Sequence, residues 1–225
     1  MLGGIIGPPF TTTLGRLEVM SVEEEFATID VLLASNAETR GVDAFALALL
    51  KADRQMRKLF TYLVFQSEAF GSGDVAALRG ALAARKVYFR DFLSAWDALY
   101  PRSLKELVGP DYDRLRGILD EAIEHRNKIF HGQLTTKYLS REELIGYGGQ
   151  IRCWCRALAA GAQLEVGYDG FGRNSFRKSS DASLAGRLVV EMTSVQDYES
   201  LLARMEKRPN QMQRTRPAQA TEPRR

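Results

Sequence analysis

Apolar residues recur at spacings of three and four through most of residues 21–162, the period of a buried helix face. Ser21 and Glu24 have capping-box spacing, and Val22, Phe26, Ile29 and Leu33 follow them. This predicts a first helix over residues 21–38. Asp43 opens a second, over 43–69, with the stripe Phe45, Leu49, Ala52, Met56, Leu59 and Leu63. Phe60, Val64 and Phe65 widen that stripe, so this helix is expected to be central. After a break at residues 71–74, Val75, Leu78, Leu82, Arg85, Phe89, Phe92, Trp96 and Leu99 alternate by three and four. They predict one continuous helix over 74–99. Ser103 with Glu106 caps a short turn that Gly109 and Pro110 end.

A long amphipathic helix is predicted over residues 111–132, on the stripe Leu115, Ile118, Leu119, Ala122 and Ile123. Ser140 and Glu143 cap another, over 140–160, through Leu144, Tyr147, Ile151, Trp154 and Leu158. Its Gly146, Gly148 and Gly149 each cost about 1 kcal/mol against alanine. Such a cluster suggests the close approach of another backbone, or a kink. Residues 163–183 are rich in Gly and Ser and read as loop. Residues 187–192, RLVVEM, predict a short strand, and Ser194 with Asp197 caps a last helix ending near Glu206. The chain therefore divides into an irregular stretch over 1–20, an all-α up-and-down bundle over 21–162 and a small appendage over 163–206. A tail without apolar pattern over 207–225 is expected to be disordered.

The densest polar chemistry lies at the end of the long helix, in the run RNKIFHG from Arg126 to Gly132. At about 100° per residue, Arg126 takes the next place on the apolar stripe after Leu115 and Ile123. A guanidinium there needs a partner or a task. Asn127 follows it. His131 lies one turn beyond Asn127, on the same face. Gly132 stands where helices commonly stop.

Charge modifies this picture little. The chain carries 31 Lys and Arg against 28 Asp and Glu. Residues 207–225 hold six basic residues and one acidic, so the remainder is slightly acidic. The basic character belongs to the tail, and no broad basic face for nucleic acid is expected on the body. There is no long uncharged apolar run to cross a membrane. The N-terminal MLGGIIGPPF is short, lacks a basic start and contains two prolines, so it makes a poor signal peptide. Cys153 and Cys155 lie two apart on a predicted helix and point about 200° apart, which suits neither a disulfide nor a metal clamp. With His125 and His131 as the only histidines, no metal site and no cofactor are expected, and a reducing cytoplasmic setting fits.

Arg126, Asn127 and His131, closing a long helix in a helical bundle, resemble the Arg-x4–6-His motif of HEPN domains, with its polar residue after the Arg. The stretch ADRQMRKLFTYLVFQ, residues 52–66, is similar to the central helix of such domains. The resemblance covers roughly residues 21–160. It implies a metal-independent endoribonuclease in which a 2′-hydroxyl attacks the adjacent phosphate and leaves 2′,3′-cyclic phosphate and 5′-hydroxyl ends. His131 would move the proton, Arg126 would hold charge on the phosphorane and Asn127 would orient either group. The family solution is a homodimer with two motifs across one cleft. It meets a difficulty here, because Arg126 and His131 point about 140° apart on an ideal helix. RNA is the implied partner, with an antitoxin or regulatory protein as a second, and a toxin or antiviral defence effector is the implied role. Some HEPN toxins carry His-x-Tyr, where a partner nucleotidyltransferase modifies the Tyr; Gln133 stands in that place here.

Plainer readings stand beside these. Arg126 could pair with a buried carboxylate such as Asp43, Asp53 or Glu68, and His131 could simply favour the negative end of the helix dipole. His125, one turn after Glu121, reads as a solvated pair, and Glu124 with Lys128 as a surface pair. Tyr147 and Trp154 read as core. Arg173, Arg177 and Lys178 in GFGRNSFRK are candidates to touch RNA phosphates, although a solvated loop explains them too. Two other functions remain open: a non-catalytic module binding RNA, a nucleotide or a protein, and a helical interaction protein without an active site. An Arg126 buried against a carboxylate would favour the last.

Overall fold

A computed structural model describes residues 22–131, 139–172 and 174–206. The N-terminal stretch, Gly132, Gln133, Arg173 and the basic tail lie outside them. The architecture is an all-α bundle, without strands among the described residues. The helices are α1 (Val22–Ala34), α2 (Arg40–Gln66), α3 (Val75–Ala83), α4 (Phe89–Leu99), α5 (Leu104–Val108), α6 (Tyr112–Phe130), α7 (Arg141–Val166) and α8 (Val195–Glu206). Short 3-10 turns cover Ser72–Asp74 and Ala182–Arg187. Among the described residues no helix is long and apolar enough to cross a membrane.

Helix α2 is the central element, packed mainly on α7 and also on α1 and α4. Its widened stripe explains this: Ala52, Met56, Leu59, Phe60, Leu63, Val64 and Phe65 are all buried. Burying a side chain of that size stabilises by about 1.5–3 kcal/mol. Helix α1 adds Phe26 and Ile29, and its buried Glu25 accepts from Lys51 Nζ (2.8 Å) and Arg54 Nη1 (3.0 Å) of α2. The capping boxes at Ser103–Glu106 and Ser140–Glu143 form as their spacing requires. Asp197 accepts from Thr193 and Ser194 at the start of α8.

Three expectations need correction. The helix over 74–99 is two helices, α3 and α4, separated by residues 84–88. Arg85 sits on the apolar stripe, and continuing the helix would drive its guanidinium into the core. The break instead leaves Arg85 at the surface beside Glu206 of α8 (3.4 Å) and lets Val87 bury. Tyr88 then caps α4, its N–H donating to Asp91 Oδ2 (2.8 Å).

Residues 187–192 do not form a strand. Val189 N–H donates to the Leu99 carbonyl at the end of α4 (2.9 Å), and Arg187 still belongs to a 3-10 turn. A ladder needs a second extended segment beside it, and among the described residues none is present.

Helix α7 runs past Ala160 to Val166, where Gly167 turns left-handed (φ 73°). Gly161 does not end it. That glycine lies against the Leu107 backbone of α5, where a Cβ would collide with the carbonyl. Among the described residues a Cβ at Gly146 or Gly149 would meet nothing within 4 Å and one at Gly148 would barely reach Ala48, so of these four α7 glycines Gly161 makes the close approach.

Residues 167–172 and 174–192 lie against α2 and share its core through Tyr168, Phe171, Leu184 and Met192. The attachment is polar and directional. Gln55 Nε2 donates to the carbonyls of Cys155 and Asp169 (both 3.0 Å). Lys58 Nζ donates to those of Phe171 and Gly172 (both 2.8 Å), and burial holds its pKa below the usual lysine value. Gln66 Nε2 donates to the Arg177 carbonyl (3.0 Å) and Ser67 Oγ to that of Met192 (2.6 Å).

The CWC run on α7 offers a check on this packing. Cys155 is fully buried, and burial pushes its thiol well above the ordinary range, whereas Cys153 is exposed. A thiol reagent should therefore titrate one cysteine in the native protein and the second only on unfolding. Two thiols reacting at the same rate before denaturation would show that the Cys155 face of α7 is open.

Candidate functional site

Helix α6 is amphipathic, and its buried face ends at the motif. Leu115, Leu119 and Ala122 are buried, and Ile123 is partly so. Arg126 continues that face and is half-buried where the face meets solvent. Its Nη1 donates to Asn127 Oδ1 (3.2 Å), and its guanidinium carbon lies 5.9 Å from the centre of the Phe130 ring. Among the described residues Arg126 has no carboxylate within ion-pair distance. Of the carboxylates weighed as its partner, Asp53 pairs instead with Arg57 of its own helix (3.5 Å).

Arg126 and Asn127 line a cleft of about 510 Å³ between α2, the start of α4 and α6. Its floor is apolar: Leu49 and Ala52 from α2, Val87 before α4, Leu119 and Ile123 from α6. Arg57 and Arg90 also reach it, but both have acidic partners. Arg90 bonds Asp120 (2.8 Å) and lies 3.9 Å from Glu124. Glu124 thus faces α4 rather than serving only as a helix-surface mate for Lys128. The Asp91 carboxyl, at the α4 N-terminus on the cleft wall, is pushed up by burial and pulled back in part by the Tyr88 N–H. Among the described residues Arg126 is the cleft guanidinium without an acidic partner.

His131 is placed differently. Helix α6 ends at Phe130, and His131 caps it in a non-helical conformation (φ −91°, ψ 9°), its N–H donating to the Asn127 carbonyl (3.1 Å). Its side chain is exposed and does not line the cleft. One chain thus brings Arg126 and Asn127 together and leaves His131 at the surface beside them.

The neighbouring His125 turns toward α7. Tyr147 Oη donates to Glu121 Oε2 (2.9 Å) and lies 3.4 Å from His125 Nε2. The phenol is pushed up to about 12, first by burial and then by the Glu121 carboxylate. His125 Nδ1 is buried without a hydrogen-bond partner among the described residues. The expected Glu121–His125 pair is therefore a three-residue cluster joined through Tyr147, and it fastens α6 to α7 away from the cleft. Trp154 is fully buried, as a core residue should be.

Of the loop cations, Lys178 donates from Nζ to the carbonyls of Phe65 (2.7 Å) and Ser67 (2.6 Å), closing the C-terminus of α2. That duty explains the residue without RNA. The Arg177 guanidinium lies over the Tyr168 ring at 5.5 Å. Neither residue is part of the Arg126 cleft.

Two exposed rings beside Arg126 escaped the sequence reading: Tyr88, 62% exposed on the cleft wall, and Phe130, 65% exposed beneath the guanidinium. Phe130 was visible inside RNKIFHG as an apolar residue off the stripe. Tyr88 was hidden by the expectation of an unbroken helix through residue 88.

Comparison with protein-family models, with curated proteins and with solved structures gives no match.

Proposed function

We propose that this chain is a metal-independent endoribonuclease of the HEPN type, acting through Arg126, Asn127 and His131. The observation that carries the reading is Arg126: half-buried in a cleft, bonded to Asn127, and without a carboxylate among the described residues. A half-buried guanidinium beside an apolar floor, with no acidic partner among the described residues, is free to take an anion from outside. A phosphodiester is such an anion. Arg126 would stabilise the charge gained by its non-bridging oxygens as the 2′-hydroxyl attacks, and Asn127 would keep the guanidinium in orientation. His131 is suited to pass the proton near neutral pH. The products would be 2′,3′-cyclic phosphate and 5′-hydroxyl ends. A cytoplasmic toxin or defence effector, with or without an antitoxin, is the role that fits this chemistry, by analogy with the family alone.

The separation of His131 from the cleft supports a homodimer as the active form. A two-fold axis near the ends of two α6 helices would bring each exposed His131 toward the other copy's Arg126. The same separation is also what a non-catalytic RNA- or nucleotide-binding module would show, so that is the second reading. A helical interaction protein with Arg126 locked to a buried carboxylate is disfavoured, since Arg126 makes no such pair among the described residues.

The deciding experiment is cleavage of total RNA by the purified chain in excess EDTA, with analysis of product ends. Cutting that persists in chelator and leaves cyclic-phosphate ends is expected. Products with 3′-hydroxyl ends, or loss of all cutting on chelation, would refute the mechanism. Tight RNA binding without cutting would favour the second reading.

A further inference from the structure

Six large apolar side chains stand exposed among the described residues, and two of them are aromatic, Tyr88 and Phe130. They come from stretches distant in sequence, yet each is tied to the cleft that holds Arg126 or to its guanidinium. Tyr88 lines the cleft together with Arg126 and Asn127, and the Phe130 ring lies under Arg126. Folding alone gives no reason to leave exposed rings around a cation that has no acidic partner among the described residues. Tyr88 is also held in place. It is the N-cap of α4 in an extended conformation (φ −105°, ψ 168°), with its N–H on Asp91 (2.8 Å) and Phe89 behind it buried. The ring is presented on a fixed backbone, which lowers the cost of ordering it on binding.

We infer that the cleft between α2, α4 and α6 is a subsite for the unpaired bases of single-stranded RNA, with Tyr88 and Phe130 as stacking faces and Arg126 as the phosphate contact. The inference rests on the ribonuclease reading and adds the substrate's form to it. The chemistry matches at both ends. A nucleotide offers a flat apolar face and an anion a short distance away; the cleft offers the exposed Tyr88 ring, an apolar floor and a guanidinium that has no acidic partner among the described residues, with the Phe130 ring lying under that guanidinium. Its volume of about 510 Å³ lies in the range of small-molecule sites. Stacking reads any base, so no strong base preference is expected from the rings. Duplex RNA hides the faces of its bases and should bind more weakly. The body is slightly acidic in net charge, so it should add little sequence-independent attraction to compete with this.

The test uses the full chain and a fluorescein-labelled 2′-O-methyl oligonucleotide of mixed sequence, single-stranded or annealed to its complement. The methyl group blocks attack by the 2′ oxygen, so binding is read without cutting. Cleavage of the unmodified strand is followed in parallel. We expect the single strand to bind more tightly than the duplex. Tyr88→Ala and Phe130→Ala should each weaken single-strand binding about tenfold, while Tyr88→Phe and Phe130→Tyr retain it. Both rings are largely exposed, so melting temperature and helicity should stay near wild type. If the wild type cuts RNA but the alanine variants keep both affinity and kcat/KM, the subsite is wrong and the ribonuclease reading stands. If the wild type neither binds nor cuts RNA, the ribonuclease reading fails and the subsite falls with it. If the alanine variants drop from dimer to monomer by light scattering with RNA affinity unchanged, the rings serve a contact between copies and the subsite is overturned.

Discussion

His131→Ala lowers RNA cleavage by about 10²–10⁴-fold, the usual worth of a positioned acid or base. Arg126→Ala lowers it by about 10²–10³-fold, the cost of removing a donor aimed at developing negative charge. Asn127→Ala has a smaller effect, because its amide acts through the guanidinium it holds. His125→Ala leaves cleavage close to wild type, since that ring faces Tyr147 and α7. Asn127 and His131 are exposed, Arg126 is half-buried at the edge of the cleft, and His125 packs against Tyr147 of α7. Stability should therefore shift little for His131, Arg126 and Asn127, within about 0.5 kcal/mol for such surface positions. Initial rates on a defined oligonucleotide, with circular dichroism as the control, measure this. A dead His125→Ala beside an active His131→Ala would move the proton chemistry to the other histidine. Equal, folding-linked losses at every position would point to a structural helix end and no active site.

The second large effect concerns two glycines of one helix, with opposite signs. Gly161→Ala should destabilise by about 1–3 kcal/mol or more, because the added methyl meets the Leu107 backbone and not a flexible side chain. For a chain of this size that corresponds to a fall of roughly 2–12 °C in Tm. Gly149→Ala should stabilise by up to about 1 kcal/mol, because its Cβ would enter open space in the middle of α7. Thermal melts of the two variants decide the point. A neutral Gly161→Ala would mean that α5 and α7 do not approach as closely as described. A Gly149→Ala that is destabilised only at high protein concentration would place a second copy against that face.

These glycines also mark where sequence reading loses its grip. The cluster at residues 146, 148 and 149 drew attention by number, yet the tight contact is made by the solitary Gly161. Composition records a missing side chain and says nothing about what lies opposite it. Local signals were legible. The capping boxes at Ser103 and Ser140 formed where Ser and the acidic residue three places on required them, and Ser194 Oγ accepts from the Asp197 N–H at the start of α8. The stripes of α2 and α6 gave the core faces, and adjacency alone put Arg126 beside Asn127. The break between α3 and α4 was not legible, because Arg85 matched the helical period while its charge forbade burial, and pattern counting weighed only the first. The cleft shared that fate. Its walls come from three stretches far apart in the chain, so Arg126 could be noticed in the sequence while the surface that makes it available could not.

The fastening of residues 167–192 to α2 has a consequence for how this protein can change over generations. Gln55, Lys58, Gln66 and Ser67 hold that segment by its carbonyl oxygens, which every amino acid carries. The two sides of the seam therefore tolerate mutation unequally. At a position such as Arg177 the side chain can drift while the fastening survives, provided that the backbone follows the same path. Gln55, Lys58 and Gln66 of α2 and Ser67 at its C-cap have no such freedom, since replacing one leaves a carbonyl across the seam without its donor. Sequence variation should accumulate on the wrapped segment, and constancy on the helix beneath it.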